Sequence, residues 1–178
     1  MTVIFHVEAE TAGGFDVAGH ASSCESYANI PATGTKDLTN LVFEGALSRF
    51  PELKFLFAEY GWTWVAPALW RMDAAWKTGR RGSPWVAKPP SEYVLERVRF
   101  TSEPAVEVPS DAHLQTLLEA MHAERALLFS SDYPHWDSDL PNGLFASVDP
   151  VLRDRIFREN AIETFGERLQ AKLEPVAR

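Results

Sequence analysis

The chain has 178 residues, of which 46% are hydrophobic, and a formal net charge of −8. That size and apolar content suit a single globular domain over residues 1–178 with a sizeable core. No run of about 18 apolar residues marks a membrane span. The acidic balance argues against a nucleic-acid binder, because phosphate neutralisation needs clustered Lys and Arg, and the pair Arg80–Arg81 is too small a cluster.

Cys24 is the one cysteine, so no internal disulfide forms. No secretory leader is visible, and the expected compartment is a reducing cytoplasm.

In chain order, the first element is an apolar run at Val3–Val7, read as a strand. Residues 8–36 follow as a long polar connection, of the kind that serves as a lid or stays disordered. A helix is expected over Asp37–Phe50, with Leu38, Leu41, Val42 and Gly45 on one side and Pro51 as its stop. Leu53–Ala58 is the second strand. Trp62, Val65, Leu69, Met72 and Trp76 then recur at 3-4-3-4 spacing, which is one face of a helix, with Pro67 tolerable only in its first turn. Residues 79–91 are rich in Gly and Pro and read as a second excursion. Val98–Thr101 is the third strand. Ser110 can cap a helix whose apolar face is Leu114, Leu117, Leu118 and Met121. Ala126–Ser130 is the fourth strand, and a last helix runs from Pro150 to about Gly166.

Strands that alternate with helices imply βαβ units and an α/β fold with parallel strands. Their continuous apolar character suggests burial on both faces. Functional side chains in such folds collect at the carboxyl ends of the strands. Those ends are His6, Glu8 and Glu10; Glu59 and Tyr60; Ser102 and Glu103; and Asp132, Tyr133 and His135. If the strands are neighbours in register, His6, Glu59 and Asp132 converge. An imidazole and two carboxylates suit a divalent metal such as Zn²⁺ or Mn²⁺. The spacing by itself is a weak signal, because no two of these residues share a compact motif.

The segments "LSRFPELKFLFAEYGWTWVAPALWRMD", "LLFSSDYPHWD" and "RENAIETFG" resemble the amidohydrolase-related family, which includes aminocarboxymuconate-semialdehyde decarboxylase and similar metal-dependent decarboxylases and hydrolases. The resemblance implies a (β/α)₈ TIM barrel, of which this chain would supply the carboxyl-terminal half, strands five to eight. It implies that His6 is the histidine ligand ending the fifth strand and Asp132 the aspartate ending the eighth. Glu59 stands where decarboxylase relatives carry a histidine, a departure that leaves it as ligand, ligand-supporting group or substrate contact. The family's amino-terminal HxH or ExH ligand pair has no counterpart here. Asp132 and His135 are the candidate catalytic groups, His6, Asp132 and Glu59 the candidate metal ligands, and Trp62 and Tyr133 the candidate substrate contacts.

Plainer readings stand beside these. Asp132 could cap a turn, His6 could be an inert strand histidine, and Glu59 could serve a salt bridge. His20 lies in the long connection, His113 and His122 read as surface or helix-end residues, and Cys24 as an ordinary thiol. The tryptophans at 62, 64, 70 and 76 read mostly as packing.

The expected function is metal-dependent hydrolysis or non-oxidative decarboxylation of a small carboxylated or aromatic substrate. The alternative is a catalytically silent binding module on the same fold. Four strands cannot close an eight-stranded barrel, which takes about 250 residues. Bare edges at the first and last strands therefore point to a homo-oligomer or to a missing amino-terminal half.

Overall fold

The structure is a computed structural model and describes residues 1–7, 22–104, 108–135, 138, 140, 143 and 145–166. Four parallel strands lie in chain order: β1 (Thr2–His6), β2 (Lys54–Ala58), β3 (Val98–Thr101) and β4 (Leu127–Leu128). The helices are α1 (Ser23–Phe43), α2 (Ala46–Arg49), α3 (Val65–Gly79), α4 (Pro90–Arg97), α5 (Asp111–Ala120), α6 (Ala123–Ala126), α7 (Pro150–Asp154) and α8 (Asn160–Phe165). A short 3₁₀ turn follows α3 at Arg80–Gly82, and one π-helical turn, Arg155–Glu159, joins α7 to α8.

The register puts Phe5, Phe57, Phe100 and Leu127 in one row across the sheet. Side chains alternate faces along a strand, so this row and Val3, Phe55 and Val98 share a face. Phe5 stacks on Phe57 at 4.9 Å between centroids, and Phe57 meets Phe100 at 5.7 Å. Trp64 stands edge-on to Phe100 at 5.6 Å. Leu38 and Val42 of α1, Val65, Leu69 and Met72 of α3, and Leu118 of α5 complete this core. Each fully buried Phe or Leu contributes about 1.5–3 kcal/mol, so the row is a principal source of stability.

β2 and β3 are buried on both faces, as their apolar runs predict, but β1 is not. Ile4 is 55% exposed because β1 is an edge strand with no neighbour beyond it among the described residues.

The expected polar connection over 8–36 is overturned where it can be followed. Residues 8–21 lie outside the described residues, but 23–36 are the first part of α1. Ser22 caps it by accepting from the Glu25 N–H. Pro31 and Gly34 disfavour a helix locally. Tertiary contact explains Gly34, since a Cβ there would lie 2.7 Å from the Trp64 ring and 2.9 Å from that of Tyr60.

The helix expected over Asp37–Phe50 breaks at Gly45, which has φ +84° and a Cβ position only 2.5 Å from Trp85. Pro67 does sit in the first turn of α3, and Ser110 does cap α5 through the His113 N–H. Trp62 and Trp64 precede α3 and are buried, whereas Trp70 faces solvent instead of packing.

The fourth strand is shorter than expected, because Ala126 ends α6 and pairing stops at Leu128. Its outer edge is not bare. The Leu128 carbonyl faces β3 and accepts from the Ser102 N–H, so Leu127 and Phe129 point the other way. There the Phe129 N–H donates to the Ile156 carbonyl in the π turn, and Asn160 Nδ2 donates to the Leu127 carbonyl at 2.7 Å and to that of Ala123. From this edge α8 reaches the start of β1, where its Thr164 carbonyl accepts from Thr2 Oγ1.

Asn160 is fully buried, and its replacement by Ala leaves the Leu127 carbonyl without that donor, while the Ala123 carbonyl keeps the Leu127 N–H. Asn160→Ala should lower unfolding stability by roughly 1–3 kcal/mol, read from the urea midpoint at unchanged slope. An unchanged midpoint would show that the edge is satisfied otherwise.

Candidate functional site

Parallel pairing sends all four carboxyl ends to one rim. At the first, the His6 ring is held from both sides. Its Nδ1 donates to the Val7 carbonyl at 2.6 Å, and its Nε2 lies 2.8 Å from Glu59 Oε1. The His6 side chain is 58% exposed and that of Glu59 only 25%, so the carboxylate is the anchored partner. The Val7 carbonyl only accepts, and so does an ionised Glu59. Nδ1 is therefore the donor to the Val7 carbonyl, and Nε2 faces the carboxylate.

The second pair lies at the end of β4. His135 Nδ1 is 2.7 Å from Asp132 Oδ2, with side-chain exposures of 64% and 17% respectively. The His135 N–H donates to the Asp132 carbonyl at 2.9 Å, and Ser138 Oγ donates to that carbonyl as well. Bonding through Nδ1 leaves His135 Nε2 facing solvent, without a partner among the described residues. A carboxylate that fixes the tautomer of an otherwise free imidazole is the arrangement of an acid–base catalyst.

Glu59 and Asp132 are both left-handed, with φ of 64° and 51°. Non-glycine residues pay about 1–2 kcal/mol for this conformation, and such residues gather at functional sites. Nothing in the local sequence announces it.

Tyr60, next in the chain, is buried with its hydroxyl 3.2 Å from Asp37 Oδ2 and 3.4 Å from the His6 carbonyl. Burial, and then the Asp37 charge, push this phenol up to about 12. Tyr60 thereby ties α1 to the backbone of His6, a role that only the structure reveals.

The remaining candidates fall in different places. Trp62 is fully buried, its indole N–H has no partner among the described residues, and its ring lies 6.4 Å from that of Phe145 between centroids. Tyr133 is 84% exposed. Glu8, Glu10 and His20 lie outside the described residues. Cys24 is exposed, and His122 at the end of α5 pairs with Glu124.

His6 and Glu59 meet, whereas Asp132 lies in the loop after β4, and β4 is two strands from β2, about 10 Å across the sheet. Among the described residues no three His, Cys, Asp or Glu side chains gather closely enough to hold a metal ion. The His6–Glu59 pair by itself offers two suitable donors for a divalent ion. Its Nδ1 bond to a backbone carbonyl is the kind that orients a ligating histidine through its other nitrogen.

A parallel sheet with flanking helices and polar side chains on its carboxyl rim defines a protein of the α/β class. A family profile described as Amidohydrolase matches residues 18–166, and the chain belongs to that family. No curated protein sequence matches it significantly. Among solved structures it is similar to an amidohydrolase from Mycobacterium avium subsp. paratuberculosis, with TM-score 0.71 and 20% identity over 93% of this chain and 42% of that one. It is also similar to 5-carboxyvanillate decarboxylase from Sphingomonas paucimobilis, with TM-score 0.67 and 20% identity over 93% of this chain and 49% of that one. A third is a dihydroxybenzoic acid decarboxylase from a Polaromonas species, solved with manganese and the inhibitor 2-nitroresorcinol, with TM-score 0.61 and 20% identity over 81% of this chain and 43% of that one. The chain thus spans less than half the length of each of these structures. No described helix is long and apolar enough to cross a membrane.

The raised Tyr60 hydroxyl has a pH consequence. The folded phenol keeps its proton up to about 12, while the unfolded one loses it near its ordinary value of 10.0. Stability from this group is whole below pH 10 and declines as pH rises towards 12, by about 1.4 kcal/mol per pH unit. Urea unfolding from pH 9 to 11.5 should show this loss, and Tyr60→Phe should remove that share of the slope. An identical slope in the variant would place the titration elsewhere.

Proposed function

We propose that the chain provides the carboxyl-terminal half of a metal-dependent amidohydrolase-type site, with β1–β4 standing as strands five to eight of a barrel. The reaction is hydrolysis or non-oxidative decarboxylation of a small carboxylated aromatic compound. The observation that carries this reading is the pair of carboxylate–imidazole contacts, His6–Glu59 and Asp132–His135, on one rim of a parallel sheet. The substrate class draws on the decarboxylases among the similar structures, whose names specify carboxylated phenols.

His6 and Glu59 would hold the divalent ion, while Asp132, which stands apart from them, serves His135. A bound ion would polarise a substrate carboxylate or lower the pKa of a water. The chain's own groups do the rest. Asp132 fixes the His135 tautomer, and the free Nε2 of His135 accepts or delivers a proton at the substrate. Tyr133, exposed beside it, offers a ring face and a hydroxyl to an aromatic ligand.

The competing reading, a catalytically silent binding module, draws on the separation of the donors, since Asp132 stands apart from His6 and Glu59 among the described residues. Mn²⁺ or Zn²⁺ titration by calorimetry decides between the two. The enzyme reading expects near-stoichiometric binding that His6→Ala and Glu59→Gln each reduce at least tenfold. His135→Ala should leave metal binding intact but lower turnover of a dihydroxybenzoate by 10²–10⁴-fold, the usual contribution of a general acid or base. Metal binding that ignores both His6 and Glu59 sinks the assignment.

We also propose that the outer edge of β1, beside exposed Ile4, is covered by a further half-barrel, from a second copy or from additional sequence. Light scattering of the 178-residue chain should give a mass above that of the monomer. A stable, well-folded monomer rules out self-pairing.

A further inference from the structure

The two contacts lie on either side of β3, and β3 contributes neither of them. Its last residue and the next two, Thr101, Ser102 and Glu103, are at most 7% exposed. Buried polar groups in such a place need partners, and for the Thr101 and Ser102 hydroxyls those partners are backbone atoms of the flanking rim loops.

On the β2 side, the Glu59 N–H donates to Thr101 Oγ1 at 3.1 Å, and the Gly61 N–H donates to the Glu103 carbonyl at 3.2 Å. These bonds bracket Glu59, Tyr60 and Gly61, and both outer members are left-handed. On the β4 side, the Ser130 N–H donates to Ser102 Oγ at 3.0 Å, while the Ser102 hydroxyl donates to the Ser130 carbonyl at 3.3 Å. The Glu103 N–H donates to Ser130 Oγ at 3.4 Å. Ser130 is two residues before Asp132, where the chain turns left-handed again.

We propose that Thr101 and Ser102 are positioning residues, one for each carboxylate–imidazole pair. Thr101 holds the backbone of Glu59 in the strained conformation that aims its carboxylate at His6. Ser102 clamps the stem of the loop that presents Asp132 to His135. A left-handed glutamate or aspartate persists only where its surroundings over-determine it, and these side-chain to backbone bonds supply that determination. Neither residue would touch substrate. The proposal rests on reading the two pairs as working groups, but its test needs neither metal nor substrate.

The test is ¹⁵N NMR of the imidazole nitrogens in the full chain at fixed pH, with His113 and His122 as internal references. Thr101→Val keeps the shape and removes the acceptor, and it should move the His6 Nε2 resonance while leaving His135 in place. Ser102→Ala should do the reverse. Thr101→Ser should restore the His6 resonance, a rescue that a purely packing role would not give. Should either variant fail to fold, hydrogen exchange on the unaltered chain decides. The amides of Glu59, Gly61 and Ser130 should exchange slowly and together, at least a hundredfold below open loop amides. The proposal is overturned if Thr101→Val leaves His6 unmoved, if either variant shifts His6, His113, His122 and His135 alike, or if any of the three amides exchanges at the open rate. None of these outcomes bears on metal binding or turnover, so failure here is distinct from failure of the proposed reaction.

Discussion

Parallel pairing in a single register is the constraint from which the rest of this structure follows. Because Phe5, Phe57, Phe100 and Leu127 occupy one row, one face of the sheet buries its aromatic side chains against α1, α3 and α5. A slip of one residue in any strand would turn that strand's side chains to the opposite face, so the register is strongly specified. The same register brings His6, Ala58 and Thr101 to the same end of their strands, and polar groups accumulate just beyond. The site is thus a by-product of how the core packs, and a core mutation that shifted β2 along its axis would displace Glu59 from His6.

At the rim the structure departs from local preference. Glu59 and Asp132 adopt a backbone conformation that side chains of their kind avoid, and each holds an imidazole. Strain of this sort needs compensation nearby, and the buried end of β3 is well placed to provide it, being bonded to both flanking loops. The two pairs differ in their bonding. His6 has both ring nitrogens engaged, whereas His135 bonds through Nδ1 and has no partner at Nε2 among the described residues.

The sheet's two edges are handled differently. At β4 the π turn and Asn160 satisfy the outward backbone groups, so this edge presents no open ladder. At β1 no such cover exists among the described residues, and Ile4 is left in solvent. The cover at β4 was not legible beforehand. It depends on a side-chain amide 33 residues from the carbonyl it meets, and sequence pattern carries no signal for a pairing of that kind.

Positions of the strands, the cap at Ser110 and the polar residues at strand ends could be read from the chain, because apolar runs, capping chemistry and strand termini are local properties. The α/β class followed from them, and the family from the resemblance of three segments. Local reasoning failed where a distant group decided the outcome. Residues 23–36 look like a loop by propensity but form a helix that lies against Trp64 and Tyr60. Gly45 looks like a helix position but breaks the helix beside Trp85. Trp70 has the composition of a core residue but faces outward. The rim shows the same division. Residue types and their order along the chain fixed which groups reach it, and the Asp132–His135 pair is local, three residues apart, whereas the order of the strands across the sheet decided that Glu59 meets His6 and that Asp132 stands apart from both. Strand order is a matter of three-dimensional pairing, which the linear spacing of residues does not encode.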